Sequence, residues 1–234
     1  AKRVMRKGIK LRFACLLSAV LLLFSTLCAS SSVKVIYRFA GKDGKKLVAL
    51  TFVDGPHPRY TPQILDILKE FGVCATFFAV GTNAETYPDL IKREMAEGHE
   101  VGNHSYNHYH TARMSAEVLV RDMAACSETL ERITGQKLRY FRPPEGVCTP
   151  EIKAFCEERG YTIVLWSVDT RDWAHTPVKE IVRNVASNTR NGSVILMHDF
   201  TGKNSPTPSA LRQIIPMLLE SGYQFVTISQ LLEG

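Results

Sequence analysis

The sequence predicts an α/β fold built on parallel strands, and three observations lead there. Strand-like and helix-like segments alternate from about Lys46 onward, the connections between them are short, and the helix ends carry recognisable caps. About seven β-α repeats of this kind place helices outside a parallel sheet, closed as a barrel or left open. An apolar content of 45% and a charged content of 22% are those of an ordinary globular domain.

The elements follow in order. Val48–Phe52 is a largely apolar run of strand length. Thr61 caps a helix with Pro62 at its first position. Ile64, Ile67, Leu68 and Phe71 form its buried face, and Gly72 ends it. Ala75–Val80 is a strand, Tyr87–Glu97 a helix stopped by Gly98, and Glu100–Asn103 a short strand. Ser115 caps a long helix with the apolar stripe Leu119, Met123, Cys126, Leu130 and Ile133, ended by Gly135. Leu138–Phe141 is a strand, Thr149-Pro150 opens a helix to Gly160, and Thr162–Ser167 is a strand. Thr176-Pro177 opens another helix, and Asn191-Gly192 turns the chain into strand Ser193–Met197. Thr207-Pro208 begins the last helix, kinked at Pro216, and Gln224–Thr227 closes the sheet.

The first 31 residues differ in kind. Lys2, Arg3, Arg6, Lys7, Lys10 and Arg12 precede an apolar run at Phe13–Phe24 and then the small residues Ala29, Ser30 and Ser31. That order is the pattern of a secretory signal. Ser18, Ser25 and Thr26 interrupt the apolar stretch, which is short against the about 20 residues of a membrane span. A signal is therefore favoured over an anchor, and either reading exports the domain. The expected organisation is 1–31 export segment, 32–45 linker and 46–234 catalytic domain.

Charge follows from the same division. Lys and Arg number 29 against 23 acidic residues, and removing the six basic residues before position 13 leaves 23 against 23. The basic balance belongs to the targeting segment and gives no support for nucleic-acid binding. Outside that segment the cysteines are Cys74, Cys126, Cys148 and Cys156, none at zinc-site spacing. Cys126 and Cys156 fall on apolar helical faces and read as buried free thiols.

The polar residues of interest share one address. Asp54, His104, His108, Arg142, Asp172, Trp173 and His198 all lie at or just beyond the carboxyl ends of expected strands, where barrel active sites are built. Each alone has an ordinary reading. His104 and His108 could be surface or core histidines, Asp54-Gly55-Pro56 a turn, and Arg142-Pro143-Pro144 a rigid loop. Charges placed without function would not collect at one end. Two histidines four apart plus a carboxylate make a three-ligand metal set whose open position activates water. A metalloprotease is disfavoured, because no Glu follows His104 as in H-E-x-x-H.

Five motifs appear in order: Thr51-Phe52-Val53-Asp54-Gly55-Pro56, His104-Ser105-Tyr106-Asn107-His108, Arg142-Pro143-Pro144-Glu145-Gly146, Asp169-Thr170-Arg171-Asp172-Trp173 and Leu196-Met197-His198. Together they resemble the NodB-type polysaccharide deacetylases, carbohydrate esterase family four. The resemblance implies a distorted (β/α) barrel of about seven parallel strands and metal-dependent de-N-acetylation of an N-acetylated glycan, peptidoglycan or chitin-like. It implies Asp54, His104 and His108 as ligands of a divalent metal, zinc by default. His198 would be the general acid, Asp172 its partner and Trp173 a wall of the pocket. The backbone N–H near Glu145 would help to hold the oxyanion, and Ser105 would support the ligands.

One position departs from the family pattern. Where the family carries a second aspartate as base, paired with the arginine here numbered Arg142, this chain has Val53. Valine accepts no proton, so a rate loss of about 10²–10⁴-fold is expected. Glu145 is a conceivable substitute carboxylate, disfavoured because its side chain would have to turn into the site. A metal-containing, glycan-binding pseudoenzyme is the rival reading.

Overall fold

The computed structural model describes residues 32–39 and 44–233. The expected export segment lies outside the described residues, and so does the middle of the expected linker. Residues 32–39 of the expected linker pack on the domain. Strand β1 (Val35–Ile36) pairs with β6 (Thr162–Val164), and Arg38 bridges to Ser193.

The sheet is parallel and curled. Its remaining strands are β2 (Lys46–Val53), β3 (Thr76–Ala79), β4 (Glu100–Asn103), β5 (Tyr140–Phe141), β7 (Val168–Asp169), β8 (Ser193–His198) and β9 (Tyr223–Phe225). Their order is β1-β6-β5-β4-β3-β2-β8-β7, with β9 paired to the start of β2. The helices are α1 (Tyr60–Glu70), α2 (Gly81–Thr86), α3 (Pro88–Ala96), α4 (Ala116–Thr134), α5 (Pro150–Arg159), α6 (Val178–Asn188), α7 (Thr207–Glu220) and α8 (Ile228–Glu233). The expected distorted (β/α) barrel is what forms.

Strand β2 shows why. Its side chains alternate between two apolar environments, as the two-residue period of a strand requires. Val48, Leu50 and Phe52 face outward into a layer made with α1, α6 and α7. Leu47, Ala49 and Val53 face a barrel interior shared with Phe78, Tyr140, Val164 and Leu196, closed below by Ile228 and Leu231 of α8. Full burial of a residue such as Leu50 or Phe52 contributes about 1.5–3 kcal/mol each. A third layer joins α4 and α5 to β4–β6 and contains Cys126 and Cys156. All four described cysteines are free thiols.

Several elements differ from expectation for local reasons. Thr61 does not cap α1. The helix starts two residues earlier, at Tyr60, and the Thr61 hydroxyl accepts from the His57 amide at 2.8 Å and donates to Asp199. Of the segment read as one strand, Thr162–Ser167, only Thr162–Val164 forms β6, and β7 begins beyond it at Val168, because the chain crosses from β1 to β8, the Leu165 amide donating to Ile36 and the Ser167 amide to Val194. The helix expected at Tyr87–Glu97 is preceded by the separate helix α2, and α8 follows the helix expected to be last. The Ser115 and Thr149 caps form as expected, accepting from Val118 and Ile152 amides at 3.4 Å.

Gly192 makes the close approach that holds β1 in place. It has φ 77° and accepts the Phe39 amide at 2.9 Å, and a Cβ there would overlap the Phe39 carbonyl. Gly192→Ala should therefore lower stability by about 2–3 kcal/mol, combining left-handed strain with a backbone clash. A urea midpoint equal to that of the native chain would remove this contact from the forces holding β1.

Candidate active site

The carboxyl ends of β2, β4, β5, β7 and β8 surround a cavity of about 500 Å³. Val53, Asp54, His104, His108, Arg142, Glu145, Trp173 and His198 line it, so the residues expected from sequence converge there. Asp172 sits immediately behind, fully buried. The backbone around the cavity is left-handed at Asp54, Ser105, His108, Glu145 and Arg171, with φ from 54° to 70°. Each such residue costs about 1–2 kcal/mol, and the surrounding hydrogen bonds must hold it.

Asp54 Oδ1 lies 3.4 Å from His104 Nε2 and 3.2 Å from His108 Nε2, yet is buried without a hydrogen-bond donor in good geometry. His104 donates from Nδ1 to the Arg142 carbonyl at 2.7 Å, which leaves the Nε2 lone pair facing Asp54. Burial lowers the His104 pKa despite the opposing Asp54 carboxylate, so the ring is held in the neutral, ligating form. An orphaned carboxylate oxygen and two imidazole nitrogens converging on one point fit a divalent metal. The donor set suits zinc and does not exclude other first-row ions.

Residues not anticipated from sequence hold this set. The Asp122 carboxylate on α4 accepts from the Tyr106 amide at 2.8 Å and from Asn107, fixing the turn between the histidines. Asn103 Oδ1 accepts the Ser105 amide at 2.7 Å, and Ser105 Oγ accepts the His108 amide at 3.1 Å, the support expected of Ser105. Behind Asp54, the buried Asp199 carboxylate packs against Gly55 so closely that any Cβ there would collide with it. Its proximity to His198 in the chain, and the break Asp122 makes beside the α4 stripe, were the only sequence signals for these roles.

His198 is the last residue of β8 and sits opposite Val53 in the β2–β8 register. Its Nδ1 donates to Asp172 Oδ1 at 2.8 Å, leaving Nε2 for the cavity. Asp172 also accepts from the amides of His198 and Trp173 at 2.9 and 3.0 Å, and from Thr207 Oγ1 at 2.7 Å. Burial pushes the His198 pKa down, but the Asp172 hydrogen bond and charge outweigh it and the net shift is upward.

Arg142 is fully buried with no carboxylate beside it. Its guanidinium donates to the Val164 and Leu165 carbonyls at 2.9 and 3.1 Å and to Thr51 Oγ1 at 2.8 Å, and lies 4.3 Å above the Phe78 ring. Burial lowers its pKa to about 9, so it stays protonated at neutral pH. Glu145 is occupied elsewhere, its carboxylate 2.6 Å from His110 Nδ1 at the exposed rim.

The model of the polysaccharide deacetylase family matches residues 40–164. The chain belongs to the polysaccharide deacetylase family. It is 41% identical over 192 residues to a peptidoglycan-N-acetylglucosamine deacetylase of Bacillus cereus, covering 81% of this chain and 90% of that protein. A solved peptidoglycan N-acetylglucosamine deacetylase superposes with a TM-score of 0.79 at 40% identity, covering 83% of this chain and 92% of that one. A pseudoenzyme of carbohydrate esterase family four from Bacillus anthracis superposes with a TM-score of 0.78 at 33% identity, covering 86% and 69%. A mutant of that pseudoenzyme is described as having restored enzymatic activity.

Two measurements test the geometry of this deacetylase-family site. Asp172→Asn removes the charge that lifts His198, so the His198 imidazole should titrate at lower pH by NMR. An unchanged titration would show that Asp172 does not set it. Asp54→Ala should weaken zinc binding in calorimetry by more than the about 10–100-fold typical of losing an outer hydrogen-bond partner. Undiminished affinity would remove Asp54 from the ligand set.

Proposed function

We propose that this chain is an exported, metal-dependent de-N-acetylase of an N-acetylated polysaccharide, peptidoglycan above chitin-like glycans, whose rate is limited by Val53. The observation that carries the reading is the convergence of Asp54 Oδ1, His104 Nε2 and His108 Nε2 in the same cavity as the Asp172-held His198. The relatives' peptidoglycan chemistry supports the substrate class, and the charge and apolar order of residues 1–31 supports export.

A divalent ion held by Asp54, His104 and His108, zinc by its donor set, would supply Lewis acidity and a water acidic enough to attack at neutral pH. The chain's own groups do the rest. The backbone N–H near Glu145 would receive the developing oxyanion, the Gly146 and Val147 amides being bound to the Pro143 and Pro144 carbonyls. His198, whose protonated form Asp172 favours, delivers its Nε2 proton to the departing amine, and Asp172 then holds the orientation of the neutral ring. Trp173, half-exposed, walls the sugar site.

The missing step is proton acceptance. Val53 occupies the position from which a carboxylate would face the cavity, on the same strand face as Thr51, which holds Arg142. Glu145 is turned toward His110 and does not replace it. Val53, together with the likeness to a family pseudoenzyme, favours a second reading in which the protein binds glycan without turnover.

Acetate release from peptidoglycan and N-acetylglucosamine oligomers separates the two. The zinc-loaded native chain should be slow, and Val53→Asp should gain about 10²–10⁴-fold. If Val53→Asp stays inactive on every N-acetylated glycan that the native chain binds, the deacetylase reading is wrong. If the native chain is already as fast as Val53→Asp, Val53 is no lesion.

A further inference from the structure

Phe200 lies two residues beyond His198, lines the cavity and is 40% exposed. Its ring stacks on His57 at 4.2 Å between centroids with the planes 3° apart. That stacking covers one face, so the exposed area is the opposite face and the edge.

The support beneath it is rigid. His57 Nδ1 accepts from the Arg59 amide at 3.2 Å, so the ring is neutral, and the His57 amide donates to Thr61. Tyr60 packs at 5.2 Å from His57 and 6.0 Å from Phe200, and its hydroxyl accepts the Asn204 amide at 3.0 Å. Three rings and the loop after β8 thus pack against one another, an arrangement that positions the Phe200 ring without a ligand and so lowers the ordering cost of a contact to it.

The position is specific. In the strand order β2-β8-β7, His198 stands on β8 with Trp173 on the β7 side and the Phe200–His57 stack on the β2 side. Trp173 is also half-exposed. The proton donor therefore lies between two aromatic faces, and a glycan with its reacting sugar at His198 carries the next sugar over one of them.

Resting on the deacetylase reading above, we propose that the open face of Phe200 is a platform for the C–H face of the sugar adjoining the reacting one, making the site select for oligomeric glycan. Ring stacking of this kind typically changes affinity by about three- to tenfold.

The test compares zinc-loaded full chain, Phe200→Ala and Phe200→Tyr in calorimetry with N-acetylglucosamine monomer and tetramer. The native tetramer-to-monomer affinity ratio should fall about three- to tenfold in Phe200→Ala and be retained in Phe200→Tyr. In the native chain, NMR saturation of the Phe200 ring protons should transfer to C–H protons of the tetramer, a readout that needs no variant. Binding with an unchanged ratio in Phe200→Ala, or no transfer, overturns the platform and leaves the deacetylase reading standing. No binding of any oligomer by either the native chain or Val53→Asp overturns both.

Discussion

The β2–β8 register is the constraint on which the site depends. Val53 pairs with His198, so the last residues of β2 and β8 reach the same level of the barrel, and Asp54 follows directly above. A strand side chain alternates faces, and a slip of one residue would turn Val53 and Thr51 out of the interior and carry Asp54 away from the histidines. Slippage is resisted because β2 is buried on both faces and paired with β3, β8 and β9. The outward Leu50 and Phe52 and the inward Leu47 and Ala49 fit only one phase. Chemistry at the top of the barrel is set by hydrophobic packing along its length.

The proposed metal ligands and the proposed proton donor are held by separate networks. The His104–His108 turn hangs on Asp122 and Asn103 from α4 and β4, whereas His198 is fixed by Asp172 and Thr207 from the β7 and α7 side. Asp199 links β8 to the Asp54-Gly55 turn through packing and through Thr61. None of these contacts uses the Val53 side chain, and only its carbonyl takes part, accepting the Asp199 amide at 3.0 Å. A different side chain at position 53 leaves that backbone bond available, so the surrounding groups keep their geometry with a valine there.

Much of this was legible in the sequence, and the division is physical. Caps at Ser115 and Thr149 act over three residues, so local spacing reveals them. Asp54, His104, His108 and His198 were visible because each follows a strand, and strand ends share one rim. Thr207 and Asp172 are 35 positions apart, and Thr61 and Asp199 are 138 apart. No local pattern encodes such pairs, and a threonine with a Pro after it reads as a helix cap whether or not its hydroxyl is needed elsewhere. Strand β1 was invisible for a related reason, since two residues carry no periodicity and only the β6 edge gives them a partner. The Phe200–His57 stack joins loops that follow different strands.

Arg142 shows what the valine leaves behind. A buried guanidinium normally needs an anion, because moving a charge out of water is costly unless it is paired or hydrogen-bonded. Here three neutral oxygens and the Phe78 ring take that part, and burial lowers the Arg142 pKa to about 9 with no carboxylate to oppose it. The cage nevertheless orients the guanidinium from below and behind, through Thr51 and two carbonyls of the β6 end. A carboxylate returned to position 53 would meet a cation already fixed in place, and the desolvation cost of burying it would be offset by a partner that is at present charged and without an anion. On the proposed reading, Arg142 is the counter-charge that a base at position 53 would use.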